Sequence, residues 1–269
     1  MGLTSQSSGL NVLKKEFNLT SGYNNPVIAL AGNPNTGKST VFNELTGLKQ
    51  HTGNWPGKTV IQAKGYFSHQ GQQFMLVDLP GTYSLLANST EELIARDFIC
   101  FADPTVTIVV VDSTNLERNL NLVLQIMELT DNVILCLNLI DEAKRKGIEI
   151  NIEHLQSELK IPVIPTIARD GYGITALKET VFRVNSGEIK IKPYKIKYSP
   201  EVENKVIELE ETLEKRIGHL KNFINFHWLA LRLLEGDQTI LYSLEKYFVD
   251  YFPSKILSGE SGVQASGVR

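Results

Sequence analysis

Residues 27–40 read VIALAGNPNTGKST, and this stretch decides the fold. Val27–Ala31 is a short continuous apolar run that reads as a buried strand. It runs directly into Gly32-Asn33-Pro34-Asn35-Thr36-Gly37-Lys38-Ser39, which has the form GxxxxGK[ST]. Helical spacing follows over Lys38–Thr46, with Thr40 in its first turn. Strand, glycine-bearing loop and helix in this order make a phosphate-binding loop. Glycines let backbone N–H groups turn inward around phosphate oxygens, and the helix adds its positive N-terminal end. Lys38 is placed to reach β- and γ-phosphates, and the Ser39 hydroxyl to ligate Mg²⁺.

Outward from this motif, short β-rich runs recur at Phe74–Asp78, Thr107–Val111, Val133–Leu137 and Val163–Thr166. Helical patterns at Glu91–Phe101, Leu116–Leu129, Ile152–Leu159 and Ile174–Val184 separate them. Apolar strands alternating with helices predict an α/β fold, a mainly parallel sheet covered on both faces. Thr59–Phe67 alternates more and precedes the turn-like Gln70–Gln73, which predicts an antiparallel edge strand against the Phe74 strand. After about Gly187 the β pattern stops. Lys190–Lys197 is a basic linker expected to be solvated, and from Pro200 the spacing becomes helical. Val202, Val206, Leu209, Leu213 and Ile217 share one face, and helices are predicted near Phe223–Leu234 and Gln238–Phe252. The expected organisation is a mobile leader over 1–25, a nucleotide-binding domain over 26–188, a small all-α domain over 189–255 and a flexible tail over 256–269.

Three further motifs narrow the chemistry. Asp78-Leu79-Pro80-Gly81 is a DxxG at a strand end, which places Asp78 near the Mg²⁺ shell through water and the Gly81 amide at the γ-phosphate. Asn138-Leu139-Ile140-Asp141 is an NxxD after the Val133–Leu137 strand. In guanine nucleotide-binding proteins such an Asp accepts from the guanine N1–H and 2-amino group, donors that adenine lacks there. Leu139 stands where lysine is common. Thr166-Ile167-Ala168 follows the next strand, where a base-lining loop belongs, and the amide of Ala168 or Arg169 is the expected donor to the guanine O6. Between the first two motifs lies Gly53-Asn54-Trp55-Pro56-Gly57-Lys58-Thr59-Val60, whose composition predicts a loop with several settled conformations. Its residues 57–60 are expected beside the phosphates, and Thr59 is best placed to complete Mg²⁺ coordination. Lys38, Thr59 and Gly81 are the candidate catalytic groups. Order-to-disorder of this loop on hydrolysis is the expected switch.

With these motifs the chain resembles the cytosolic N-terminal part of FeoB, the bacterial ferrous-iron transport family. GNWPGKTV at Gly53–Val60 is the most specific match, followed by DLPGTYSL at Asp78–Leu85, GNPNTGKST at Gly32–Thr40 and WLALRLLEGD at Trp228–Asp237. The long leader, Ile167 and the NLID form depart from the family pattern. The resemblance implies a Ras-like GTPase domain followed by a helical domain, at the cytoplasmic face of a membrane and preceding a multispanning region that moves Fe²⁺. It leaves homo-oligomerisation open. Thr82 stands where Ras-like enzymes carry a water-orienting glutamine. Slow intrinsic turnover is therefore expected, and no general base is named. No arginine is expected in or beside the two loops, Arg96 standing about 14 residues after Thr82, so K⁺ is the expected neutraliser of phosphate charge. Asn35 and carbonyls of Gly53–Gly57 are its candidate ligands, which agrees with the potassium activation that the resemblance implies.

Composition narrows the alternatives. Lys plus Arg number 27 against 30 acids, a net charge of −3, and Glu201, Glu203, Glu208, Glu210, Glu211 and Glu214 crowd one segment. That balance argues against a ribosome- or RNA-directed GTPase. A nucleotide sensor with negligible hydrolysis stays open because of Thr82. Cys100 and Cys136 lie in apolar segments and read as buried core residues. The five histidines show no metal-ligand spacing, so no iron site is expected on this chain. No apolar stretch approaches the ~20 residues of a membrane span.

Overall fold

A computed structural model describes residues 17, 19, 25–48, 50–56, 58–221 and 224–248. Gly57 and the tail beyond 248 lie outside them, as does most of the leader. Among the described residues seven strands form one sheet: β1 (Val27–Gly32), β2 (Gln50–Asn54), β3 (Ile61–His69), β4 (Gln72–Asp78), β5 (Val106–Asp112), β6 (Val133–Asn138) and β7 (Val163–Pro165). The order across it is β2-β3-β4-β1-β5-β6-β7. β1, β4, β5, β6 and β7 run parallel, and β3 lies antiparallel to both β2 and β4. Continuous burial of β1, β5 and β6 reflects cover on both faces, which their unbroken apolar runs require.

The cover comes from α1 (Lys38–Thr46) and α6 (Ile174–Asn185), which touch each other, and from α2 (Thr90–Phe101) and α3 (Leu116–Leu129), which also touch. Short α4 (Ile140–Arg145) and α5 (Ile152–Leu159) complete this part. Local chemistry sets the starts: Ser89 accepts from the Glu92 amide at the head of α2, and Asn151 from His154 at the head of α5. Cys100 and Cys136 are buried, and burial pushes the Cys136 thiol up to about 12.

A C-terminal helical region follows: α7 (Pro200–Ile217), α8 (Phe226–Leu234) and α9 (Gln238–Tyr247). The stripe expected on α7 is the packed one, with Val206 fully buried against Ala230 and Leu231. Ser199 and Pro200 start α7, Asn225 caps α8 and Asp237 caps α9. The linker lysines are exposed, yet Ile191 is buried and Lys195 Nζ donates to the Met127 carbonyl at 2.6 Å. Helix α9 is tied to α2 by Arg96, fully buried, whose guanidinium bonds Asp97, Thr239, Ser243 and Asp237.

Two expectations need correction, and one element was not foreseen. The strand at 61–69 is not the edge, because β2 pairs outside it from Gln50↔Gly65 to Asn54↔Ile61. β2 carries no apolar pattern, and an edge strand needs only one row of backbone bonds. Helix α4 has no counterpart in the sequence reading. The leader is not free at Phe17 and Leu19, which are 3% and 4% exposed.

Candidate functional site

All the motifs meet at the carboxyl ends of the parallel strands, the usual binding edge of such a sheet. At the end of β1, a Cβ on Gly32 would stand 2.5 Å from the Val110 carbonyl oxygen, so only glycine lets the chain leave the sheet there. Gly37 opens α1 with φ 81°, and a Cβ on it would lie 2.4 Å from Asn138 Nδ2. No side chain caps α1, so its positive end faces the loop. Asn35 (φ 66°) and Ser39 are exposed, while Pro34, Lys38 and Thr40 are half-buried. The Thr36 hydroxyl donates to the Asn33 carbonyl at 2.9 Å. Asn33 itself is buried, and both polar atoms of its side chain lack a protein partner. Such atoms suit a polar ligand in the loop.

Asp78 ends β4 opposite Leu30. Lys38 Nζ donates to Asp78 Oδ1 and, at 2.7 Å, to the Leu79 carbonyl. Burial pushes the Asp78 carboxyl above its usual range, and the Lys38 ammonium opposes that push. The turn after Asp78 lies on the phosphate loop. The Leu79 amide donates to the Leu30 carbonyl at 2.9 Å, Thr82 to Gly32 at 3.2 Å, and a Cβ on Gly81 would sit 3.5 Å from Pro34 Cα. Pro80 is half-buried beside it. Thr82 is buried, its hydroxyl donating to the Ser84 carbonyl and accepting from the Ser84 amide at 3.0 Å. That hydroxyl is spent on its own turn, in keeping with the reading that it replaces no glutamine. The next amides are held by side chains too, Leu85 by Gln125 at 2.7 Å and Asn88 by Glu92 at 2.9 Å. Here the structure corrects another expectation: Arg118 of α3 lies 4.5 Å above the Tyr83 ring, so an arginine does stand beside this loop in space.

The described residues 53–56 and 58–60 form the tip of the β2–β3 hairpin. Gly53 pairs with Gln62 in the β2–β3 ladder. The Trp55 amide donates to the Val60 carbonyl and the Lys58 amide to the Trp55 carbonyl, both at 2.9 Å. Trp55 is 2% exposed and edge-on to Phe98, while Thr59 is exposed and Lys58 and Val60 are half-buried.

At the base end Asn138 acts as a strut. Its Nδ2 donates to the Thr36 carbonyl at 3.0 Å, and its Oδ1 accepts from the Ala168 amide at 3.0 Å and the Thr166 hydroxyl at 3.1 Å. One buried side chain thus joins the phosphate loop to the base loop. The Ser113 hydroxyl, unremarked in the sequence, donates to the Asn138 carbonyl at 2.5 Å. Its position just after β5, at the same sheet edge, was the signal available. The Ala168 amide is committed to Asn138, which takes it from the two donors named for the guanine O6 and leaves Arg169. Ile167 pairs with Tyr172. Leu139 turns the chain at φ 61° into α4, whose first turn carries Asp141. Asp141 Oδ2 accepts from Arg169 Nη2, whereas Asp141 Oδ1 is buried with no protein partner. A buried, unpaired carboxylate oxygen is a strong acceptor awaiting a donor.

For Mg²⁺, an exposed hydroxyl (Ser39) and a carboxylate (Asp78) flanking the phosphate loop are the hard oxygen donors it takes. For K⁺ the fit is partial. Asn35 is exposed, but the Trp55 carbonyl is engaged by Lys58. Among the described residues no group of three His, Cys, Asp or Glu side chains could hold a metal ion, and no helix is long and apolar enough to cross a membrane.

Comparison with known proteins adds independent findings. Residues 26–181 match the family described as ferrous iron transport protein B, and residues 198–257 match the FeoB cytosolic helical domain. The Fe(2+) transporter FeoB of Escherichia coli strain K12 is 42% identical over 215 residues, covering 78% of this chain and 27% of that protein. The chain thus spans only about a quarter of the length of the curated relatives it matches. Among solved structures, the cytosolic domain of the T. maritima FeoB iron transporter in a GDP form aligns with TM-score 0.74 at 38% identity, covering 86% of this chain and 87% of that one. Its GMPPNP form aligns with TM-score 0.72 at 37% identity, covering 85% and 87%.

Proposed function

The chain belongs to the ferrous iron transport protein B family, and from that premise we propose that it is a guanine-nucleotide switch: it binds GTP with Mg²⁺, hydrolyses it to GDP and phosphate, and so gates Fe²⁺ movement through a membrane region of a longer protein, at the cytoplasmic face. Residues 26–188 serve as the GTPase domain and 189–255 as the helical domain; the two family matches support that division. The observation that carries the guanine assignment is the unpaired, buried Asp141 Oδ1 beside the Asn138 strut. It offers an acceptor to N1–H and the 2-amino group, and the Arg169 amide offers a donor to O6.

When phosphate binds, Lys38 exchanges Asp78 and Leu79 for β- and γ-oxygens, and the amides of 32–39 with the end of α1 hold the rest of the charge. Ser39, Thr59 and, through a water, Asp78 are the residues that would hold Mg²⁺, which would supply neutralisation of phosphate charge. Gly81, resting on Pro34, presents its amide to the γ-phosphate. The tip rests on α2 through Trp55 and Phe98, and its release to bring Thr59 to the metal makes residues 53–60 the responsive element. Turnover is slow because Thr82 is turned inward.

Competition titration with GDP, ADP and XDP tests the base assignment. GDP should exceed ADP by a wide margin, and Asp141→Asn should cost GDP on the order of 2–3 kcal/mol while favouring XDP, whose 2-oxo group accepts from the new amide. Equal affinity for ADP and GDP would sink the proposal. We extend it to potassium: K⁺ should accelerate hydrolysis above Na⁺ at equal ionic strength, and Asn35→Ala should remove most of that difference. Its support is the exposed Asn35; the engaged Trp55 carbonyl means the tip must reopen before it can contribute. Rates alike in the two salts would reject the extension.

A further inference from the structure

Two residues ahead of the family-matched region are packed into the protein. The Phe17 ring stacks on Tyr247 of α9, with centroids 5.2 Å apart at 30°. It also meets Phe98 of α2 edge-on, at 5.4 Å and 80°. Gln62 of β3, itself buried, donates through Nε2 to the Phe17 carbonyl at 3.4 Å. Phe98 receives Trp55 edge-on too, at 5.5 Å and 77°. Phe17 and Trp55 therefore share one aromatic platform. They also line one cavity of 290 Å³ with Lys58, Leu93 and Lys246.

We infer that Phe17 is a positioning residue for the hairpin tip: it straps α9 to β3 through Tyr247 and Gln62 and, through Phe98, holds Trp55 down on α2. The platform has little freedom to adjust. Arg96 is fully buried and binds α9 through Thr239 Oγ1 at 2.6 Å and Ser243 Oγ at 2.9 Å, while Ser243 Oγ donates to Asp97 Oδ2 at 2.9 Å. This network resists any parting or closing of α2 and α9 that would absorb a missing Phe17 ring. The element that yields is the tip, whose turn is closed by the Trp55–Val60 and Lys58–Trp55 backbone bonds. The strap's consequence for nucleotide rests on the reading of residues 53–60 as the responsive element. A strap that favours the docked tip opposes the γ-phosphate-bound state and leaves GDP binding alone.

The test uses the full chain with Phe17→Ala, and with Phe17→Leu, which keeps apolar volume and loses both ring pairs. Hydrogen exchange at the Trp55 and Lys58 amides should quicken about two- to tenfold, the equivalent of one aromatic pair, and Phe17→Tyr should restore it. Affinity for a non-hydrolysable GTP analogue, relative to GDP, should rise by a similar factor. Unchanged exchange at both amides in the folded Phe17→Leu chain overturns the strap. Faster exchange with an unchanged analogue-to-GDP ratio upholds the strap and overturns the switch reading instead.

Discussion

Replacing Asn138 by alanine should do two kinds of damage at once. The side chain is 1% exposed and makes three hydrogen bonds, to Thr36, Thr166 and Ala168, that join segments far apart in sequence. Truncation leaves the Thr36 carbonyl and the Ala168 amide without that partner in a buried place. The Thr166 hydroxyl keeps only its 3.3 Å contact with Cys136 Sγ among the bonds it makes here. At about 0.5–1.5 kcal/mol per bond, and more for a group left unsatisfied, the loss of stability is about 2–4 kcal/mol. GDP affinity should fall about tenfold, equivalent to about 1.4 kcal/mol, because the base loop is no longer tied to the phosphate loop. Urea unfolding gives the first number and a fluorescent-GDP titration the second. Asp141→Asn is the control: its ion pairs with Arg169 and Arg145 are surface pairs, so stability should stay within about 1 kcal/mol while guanine affinity drops. An Asn138→Ala chain within about 0.5 kcal/mol of the parent, or an Asp141→Asn chain equally destabilised, would refute the strut.

Gly173→Ala should be among the most damaging single-methyl changes, because φ is +81° and the new Cβ would stand 2.2 Å from the Pro165 carbonyl oxygen; a fall of several degrees in Tm checks it, and an unchanged Tm contradicts the packing of α6 on β7. A pH effect is expected at Lys64, where burial lowers the ammonium to about 8. Between about pH 8 and 10.5 the unfolded chain binds more protons there than the folded one, so this site makes stability rise with pH across that window. The side chain is only half-buried, so the rise is below about 1 kcal/mol. Urea midpoints of Lys64→Gln across the window should lack that increment relative to the parent, and parallel profiles would count against it.

The parts legible from sequence are those set by near neighbours. Val27–Ala31 has to be a strand buried on both faces because five apolar residues precede a glycine loop. Helices at 38–46, 116–129 and 152–159 match the predicted bounds because a 3.6-residue apolar period is a local property. The motif residues were legible for a similar reason, since each follows a strand whose carboxyl end must reach one sheet edge. β2 and α4 were not. Gln-His-Thr-Gly-Asn has no apolar pattern and is a strand only through its ladder with β3. Ile140–Arg145 is too short for periodicity and begins at a left-handed Leu139 that only the backbone reveals.

Function divides along the same line. Lys38, Asp78, Asn138 and Asp141 could be named from spacing, because each stands in a short motif that local sequence displays; that Asn138 is a strut between loops was not legible there. Which of their atoms are spent and which remain available is a matter of contacts between distant segments. Asn138 reaches Thr36 across 102 residues. The Ala168 amide is consumed by that same strut, and Arg118 comes over Tyr83 from another helix. Phe17 is buried by Phe98 and Tyr247, which no window of sequence around the leader contains. Periodicity encodes which face of a segment is apolar; the partner that covers that face is chosen only when the whole chain packs.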